Sequence, residues 1–145
     1  MRHFSLLLLV NAFLIVAADD KFIFDVTFNC GYHQRESYNY NVQFVEWDFS
    51  SPNDQLTQQK IGIARPGASI FQMEGSLNGD EIFSSGYEVG MKLFHDCTEY
   101  EKQYEATIWL KPLCEIGKGM CHYTIDKDIK DLRDTSTYEA KLSYQ

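Results

Sequence analysis

The segment Gly86–Cys97 constrains the fold of this chain more than any other stretch. Its large apolar residues occupy alternate positions: Tyr87, Val89, Met91 and Leu93. Side chains of a β-strand point to its two faces in turn, so this spacing predicts a strand with one buried face. The strand closes on the tripeptide His-Asp-Cys, which makes Cys97 a candidate disulfide anchor.

The first residues predict a secretory signal peptide, residues 1–18. Arg2 and His3 form a short basic start, an apolar run follows over residues 4–16, and small residues predict cleavage after Ala18. A membrane anchor is the weaker interpretation, because a bilayer span needs roughly 20 apolar residues. No later segment is apolar over such a length, so we predict a secreted, extracellular protein with no membrane span.

The mature chain, residues 19–145, has the length of one domain. The full sequence carries 21 Asp and Glu against 13 Lys and Arg, which gives a formal net charge of −8. An acidic chain repels phosphate backbones, so nucleic acid is not expected as a partner.

The mature chain contains four cysteines: Cys30, Cys97, Cys114 and Cys121. An even count in a small secreted domain predicts disulfides, and four cysteines allow three pairings. Cys114 and Cys121 are close in sequence and would close a small loop easily. That pairing would leave Cys30 to bond Cys97.

Short apolar runs separated by turn residues predict an all-β domain. The first strand has the clearest alternation, with Phe22, Phe24, Val26 and Phe28 on one face. A capping-box pattern at 98–101 and helical spacing of Ile125, Ile129 and Leu132 predict one or two short helical segments. We therefore predict an antiparallel β-sandwich of about seven or eight strands. The predicted strands are 22–28, 42–49, 60–64, 69–74, 87–97, 106–111 and 137–144.

An ordered set of motifs carries a family resemblance. The pieces are a cysteine ending the first strand, a Val-x-Phe-x-x-Trp-Asp strand, a Phe-x-Met-x-Gly strand, a strand ending in His-Asp-Cys, and a strand ending in proline. They lie in that order at Cys30, 42–48, 71–75, 92–97 and 107–112. With this set the chain resembles the secreted transthyretin-like family of nematodes, as a divergent member.

The resemblance implies a disulfide-stapled, prealbumin-like β-sandwich, and it favours bonding of Cys30 to Cys97. It also implies action by binding, as an extracellular adaptor or signalling protein that recognises a cell surface or another protein. The alternative is a carrier of a small apolar ligand. The related hydrolase branch ends in Tyr-Arg-Gly-Ser, whereas this chain ends at 142–145 in Leu-Ser-Tyr-Gln, so we predict no enzyme.

A tyrosine-rich segment is the predicted recognition surface. Residues 31–41 are polar and aromatic and are predicted to form a loop after the first strand. Aromatic rings on loops give contact area at a low cost in entropy. The candidate binding residues are Tyr32, His33, Tyr38 and Tyr40. The alternative is that some of these rings cover the core.

Metal binding is a weaker interpretation of the same sequence. His95, His122 and three of the cysteines have the chemistry of zinc ligands, but they lack Cys-x2-Cys spacing, and secretion favours disulfides. The acidic run 126–134 lacks the Gly and the final acid of a calcium loop. We therefore predict no metal and no cofactor.

Overall fold

A computed structural model describes residues 19–47, 53–78, 84 and 86–145. The predicted signal peptide, residues 48–52 with the end of the predicted second strand, and residues 79–80 of a predicted turn lie outside the described residues. The strands are β1 (Asp20–Cys30), β2 (Tyr38–Glu46), β3 (Asp54–Gln55), β4 (Lys60–Ala64), β5 (Gly67–Leu77), β6 (Gly86–Tyr87), β7 (Val89–His95), β8 (Tyr104–Lys111), β9 (Cys114–Glu115), β10 (Met120–Asp128), β11 (Asp134–Glu139) and β12 (Lys141–Tyr144).

Two main sheets are built from these strands. Sheet A has the order β12-β10-β1-β5. Sheet B has the order β11-β8-β7-β2, with both β3 and β4 pairing against β2. A small third sheet joins β6 to β9. The all-β prediction is confirmed for the part of the chain that the structure describes.

The inward faces of the two sheets share one aromatic core. The first strand places four rings or branched side chains inward, as its alternation predicts, and each is at most 1% exposed: Phe22, Phe24, Val26 and Phe28. Phe24 of sheet A stacks on Phe44 of sheet B with ring centroids 3.7 Å apart. Because rings from both sheets meet in the middle, the space between the sheets is filled and the fold is sandwich-like.

Both predicted disulfides are confirmed. Cys30 at the end of β1 bonds Cys97, which follows β7, so this bridge ties sheet A to sheet B. Cys114 of β9 bonds Cys121 of β10 and closes a short loop. All four sulfurs are buried, which protects the bridges from reductants in the surrounding solvent.

The predicted helical segments are wrong, because the described residues contain no helix. Ile125 belongs to β10, which pairs in parallel with β1 over its whole length. Ile129 and Leu132 follow in a turn, which is closed by a hydrogen bond of 3.1 Å from the Leu132 N–H to the Ile129 carbonyl. At 98–101 the chain makes one turn and Glu101 adopts a φ of 55°, which is incompatible with a continuing helix.

Three further details of the predicted architecture are corrected. Two strand pairs are parallel, β1 with β10 and β8 with β11, so the sheets are not purely antiparallel. The predicted loop ends early, because Tyr38 and Tyr40 alternate inward and start β2. The predicted last strand is two strands in different sheets, separated at Ala140, whose N–H bonds the Lys111 carbonyl at 2.7 Å.

Asp20 ties the start of β1 to the loop before β10. Its carboxylate accepts three hydrogen bonds, from the Tyr87 hydroxyl at 2.8 Å and from the N–H groups of Gly117 and Gly119 at 2.7 and 2.9 Å. Both glycines have positive φ, which lets their N–H groups converge on one carboxylate. Burial alone would raise the pKa of Asp20, but these three hydrogen bonds together lower it.

Candidate functional site

Three of the four predicted binding residues lie inside the protein. Tyr38 is fully buried, while Tyr40 and Tyr32 are 7% and 8% exposed. His33 is exposed in the loop after β1. The rings of Tyr38 and Tyr40 therefore belong to the core, as the alternative interpretation of this segment has it, and they offer a partner little surface. The predicted role of these residues in binding stays a prediction, with His33 its one exposed member.

Tyr32 holds the loop after β1 against the turn after β10. Its hydroxyl donates to the Asp131 carboxylate, and the Lys130 ammonium lies 4.7 Å from its ring centroid. The hydrogen bond to Asp131 raises the pKa of Tyr32 to about 12. Arg35 in the same loop donates to the backbone and the carboxylate of Asp96. These contacts hold the loop after β1 in place, so Tyr32 and Arg35 have a structural role.

His95 is buried at the end of β7 with one ring nitrogen satisfied. Its Nε2–H donates to the Leu132 carbonyl at 2.8 Å, while Nδ1 has no hydrogen-bond partner among the described residues. Protonation would add a second N–H with no acceptor in a site that is 1% exposed. Burial therefore lowers the pKa of His95 from its ordinary value of 6.5.

We expect His95 to make the protein less stable as the pH falls below about 6.5. A lowered pKa means that the unfolded chain takes up the proton first, so acidification favours unfolding until the pH reaches the pKa of the folded protein. The slope is at most about 1.4 kcal/mol per pH unit. Urea denaturation between neutral pH and pH about 5 measures it. In the His95→Gln variant this slope should disappear; an unchanged slope would rule out His95 as its source.

A surface groove lies on the outer face of sheet B, where β2, β7, β8 and β11 are neighbours. It has a volume of about 320 Å³ and is open to solvent. We call it the tryptophan groove, and its lining residues are Trp47, Glu88, Val89, Trp109, Leu110, Lys111, Leu113 and Thr137. Its size falls in the lower part of the range for small-ligand pockets.

Trp109 forms one wall because β7 has a glycine opposite it. Trp109 of β8 pairs with Gly90 of β7, and a Cβ built on Gly90 would lie 2.5 Å from the Trp109 ring. The six-membered ring of the indole therefore occupies the space beside the Gly90 Cα. Thr137 of β11 pairs with Trp109 on its other side and points to the same outer face. A glycine in the middle of a strand here makes room for a large ring.

Trp47 forms a second wall at the end of β2. Its backbone N–H donates to the Glu88 carbonyl at 2.9 Å, which continues the pairing of β2 with β7 by one residue. Its side chain is 39% exposed, which is unusual for so large an apolar ring. Trp47 and Trp109 are the two tryptophans of the whole sequence, so both lie at this one groove.

The groove combines apolar walls with charged groups. Val89 and Leu110 are each 1% exposed and belong to the core between the sheets, so the apolar side chains of the groove are Trp47, Trp109 and the half-buried Leu113. Glu88 and Lys111 bring one negative and one positive group to the same groove. Apolar walls with a few polar groups suit a side chain or a small apolar ligand that must be oriented.

Sequence reasoning missed this groove, although its signals were present. Trp109 and Gly90 each fall in a predicted strand, but neither strand shows which residue of the other it faces. Trp47 belongs to one of the motifs that carry the family resemblance. The concentration of both tryptophans on one surface depends on the pairing of β7 with β2 and with β8, which only the tertiary structure supplies.

No protein-family model, curated protein or solved structure matches this chain. Within 19–47, 53–78, 84 and 86–145, no cluster of three or more His, Cys, Asp or Glu side chains is placed to hold a metal ion. Over the same ranges the structure contains no helix long and apolar enough to cross a membrane.

Proposed function

We propose that this chain is a secreted, transthyretin-like binding protein that recognises an extracellular protein or cell-surface partner through the tryptophan groove. The observation that carries the proposal is the meeting of Trp47 and Trp109 at one open groove. Tryptophan is among the residues that most often dominate the binding energy of protein interfaces, in pockets that exclude water. The proposed activity is recognition and not catalysis.

Three further observations support this proposal. Two disulfides are compatible with an extracellular protein, and a predicted signal peptide precedes them. A sandwich-like all-β domain with two packed sheets is the architecture that the family resemblance implies. Stacking of Phe24 on Phe44 fills the space between the sheets, which favours recognition at the surface over enclosure of a ligand.

Carriage of a small apolar ligand is the second candidate function. The volume of about 320 Å³ and the apolar walls of the tryptophan groove favour it. A ligand bound there would remain partly exposed, because the groove is open to solvent. The two functions are separable, since a carrier binds the free small molecule and an adaptor requires a macromolecular partner.

We expect Trp47→Ala to weaken partner binding by about 30-fold, the effect of losing a contact of about 2 kcal/mol. The measurement is binding of fluorescently labelled mature protein to intact cells, with and without protease treatment of their surface. Leu113→Ala should weaken binding in the same direction. Loss of binding after protease treatment supports a protein partner.

Tyr100→Ala is the matched control for this experiment. Tyr100 is also an aromatic residue on the surface, 72% exposed. It lies beyond the C-terminal end of β7, whereas the groove lies at the N-terminal end of that strand. Binding that falls equally in the Tyr100 and Trp47 variants would contradict a role for the groove.

Intrinsic fluorescence tests the carrier function, because both tryptophans of the chain lie at this groove and report on it alone. A saturable change on titration with a free fatty acid would favour carriage instead.

A further inference from the structure

Strand β4 presents an open aliphatic edge. It pairs with β2 on one side, and no strand among the described residues pairs with its other side. Ile61 and Ile63 on this strand are 77% and 74% exposed. An open edge offers a row of backbone N–H and C=O groups that a further strand can satisfy.

The packing of one ring explains why β4 turns its large side chains outward. Gly62 pairs with Tyr40 of β2, and a Cβ built on Gly62 would lie 2.4 Å from atoms of the Tyr40 ring. The inner face of β4 therefore has room only for a glycine at this point. Because side chains alternate along a strand, Ile61 and Ile63 must then face solvent.

Charged residues mark the other sheet edges but not the centre of β4. Glu74 is exposed on β5, β11 runs from Asp134 to Glu139, and β12 starts with Lys141. Charges on edge strands are a common protection against unwanted pairing. The Lys60 ammonium of β4 instead lies 5.5 Å from the centroid of the Phe71 ring, on the inner side. Among the edge strands that the structure describes, β4 is the one that exposes two large apolar side chains.

We propose that two copies of this chain pair through β4, antiparallel and centred on Gly62. In this register, Ile61 of each copy lies opposite Ile63 of the other, and the four isoleucines form one apolar cluster. Lys60 lies opposite Ala64, so like charges do not face each other. A two-fold interface must be self-complementary, and the sequence Ile-Gly-Ile is symmetric about its centre.

This pairing has a geometric consequence for recognition. Antiparallel addition of β4 to β4 makes sheet B continuous across both copies, with their outer faces on the same side. Trp109 points to that outer face in each copy, so the two tryptophan grooves would face one surface together. This consequence alone rests on the proposed function, and it would strengthen binding to a surface through bivalency.

The test is sedimentation velocity of the mature, disulfide-bonded chain over a concentration series that reaches the sub-millimolar range. We expect the wild-type chain to form a dimer. Replacing both Ile61 and Ile63 with Glu should raise the dimer Kd at least about tenfold, because like charges would then face each other across the interface. The fold of the monomer should be unaffected, since both side chains are exposed. Near-ultraviolet circular dichroism checks this.

Two controls make the assignment specific. Ile70→Glu alters an equally exposed isoleucine, 78% exposed, on the edge strand of sheet A and should leave the dimer intact. Mixing the double Glu variant with a double Lys variant at Ile61 and Ile63 should restore a dimer, because opposite charges then face each other.

A monomeric wild-type chain at all concentrations would overturn the proposal. A dimer that survives the double Glu substitution, or one that only Ile70→Glu disrupts, would also overturn it. The outcome is independent of the proposed function, because Trp47→Ala should leave the dimer unchanged. A chain that dimerises but fails to bind cells would contradict the groove and not the pairing through β4.

Discussion

Replacing Cys30 and Cys97 with alanine should lower the free energy of unfolding by about 4 kcal/mol. The two residues are 67 positions apart, so the bridge removes many conformations from the unfolded chain. It also connects the end of β1 in sheet A to the end of β7 in sheet B. A typical domain is stable by roughly 5–15 kcal/mol, so this loss would leave the fold marginal.

The second disulfide is the matched control for this prediction. Cys114 and Cys121 are seven positions apart, and the same entropy relation gives a loss of about 2.5 kcal/mol for their double alanine variant. Urea denaturation of the two variants and the wild-type protein measures both losses. A larger loss from the short bridge would contradict an origin in the unfolded chain.

Phe24→Ala should destabilise the protein by about 3–5 kcal/mol. Phe24 is fully buried, stacks on Phe44 at 3.7 Å, and lies 5.8 Å from the Tyr123 ring. It is the ring through which the inner faces of the two sheets meet most closely. Truncation would leave a cavity between sheets that cannot collapse without moving a strand, because each side is held by backbone pairing.

Phe71→Ala is the control for the position of the ring. Phe71 lies on the edge strand β5 and is only partly buried, although it stacks on Tyr40 with centroids 5.4 Å apart. Phe71→Ala should lower the free energy of unfolding clearly less than Phe24→Ala, because less buried apolar surface is lost. Thermal and urea unfolding give the comparison. Equal decreases in the free energy of unfolding would show that the contact between Phe24 and Phe44 stabilises the protein no more than a ring contact at the edge of the core.

The strands that face water on one side were the easiest to predict. The alternation of Phe22, Phe24, Val26 and Phe28 matches β1, and the spacing at 87–97 matches the inward face of β7. In these strands most inward residues are large and apolar, and most outward residues of β1 are polar, so a period of two is visible in the sequence. The short strands β3 and β9 have two residues each, too few to show any period.

The wrong prediction at Ile125, Ile129 and Leu132 has a specific physical cause. Their spacing fits a helix, yet the three residues belong to a strand end and a turn. What makes β10 a strand is its pairing with β1, which lies about a hundred positions earlier in the chain and carries no local signal. The predicted loop is wrong at Tyr38 and Tyr40 for a related reason, since a polar, aromatic sequence fits an exposed loop and a strand with buried rings equally well.

The sequence by itself determined the all-β character, the first strand and the four cysteines that form disulfides, because periodicity and cysteine spacing are local properties of the chain. Only the tertiary structure decided where the exposed apolar surfaces lie. Trp109 stands over Gly90 because β8 pairs with β7, and Ile61 faces solvent because Tyr40 fills the space beneath Gly62. Both surfaces depend on which residue lies opposite which glycine, and that register is set by long-range strand pairing.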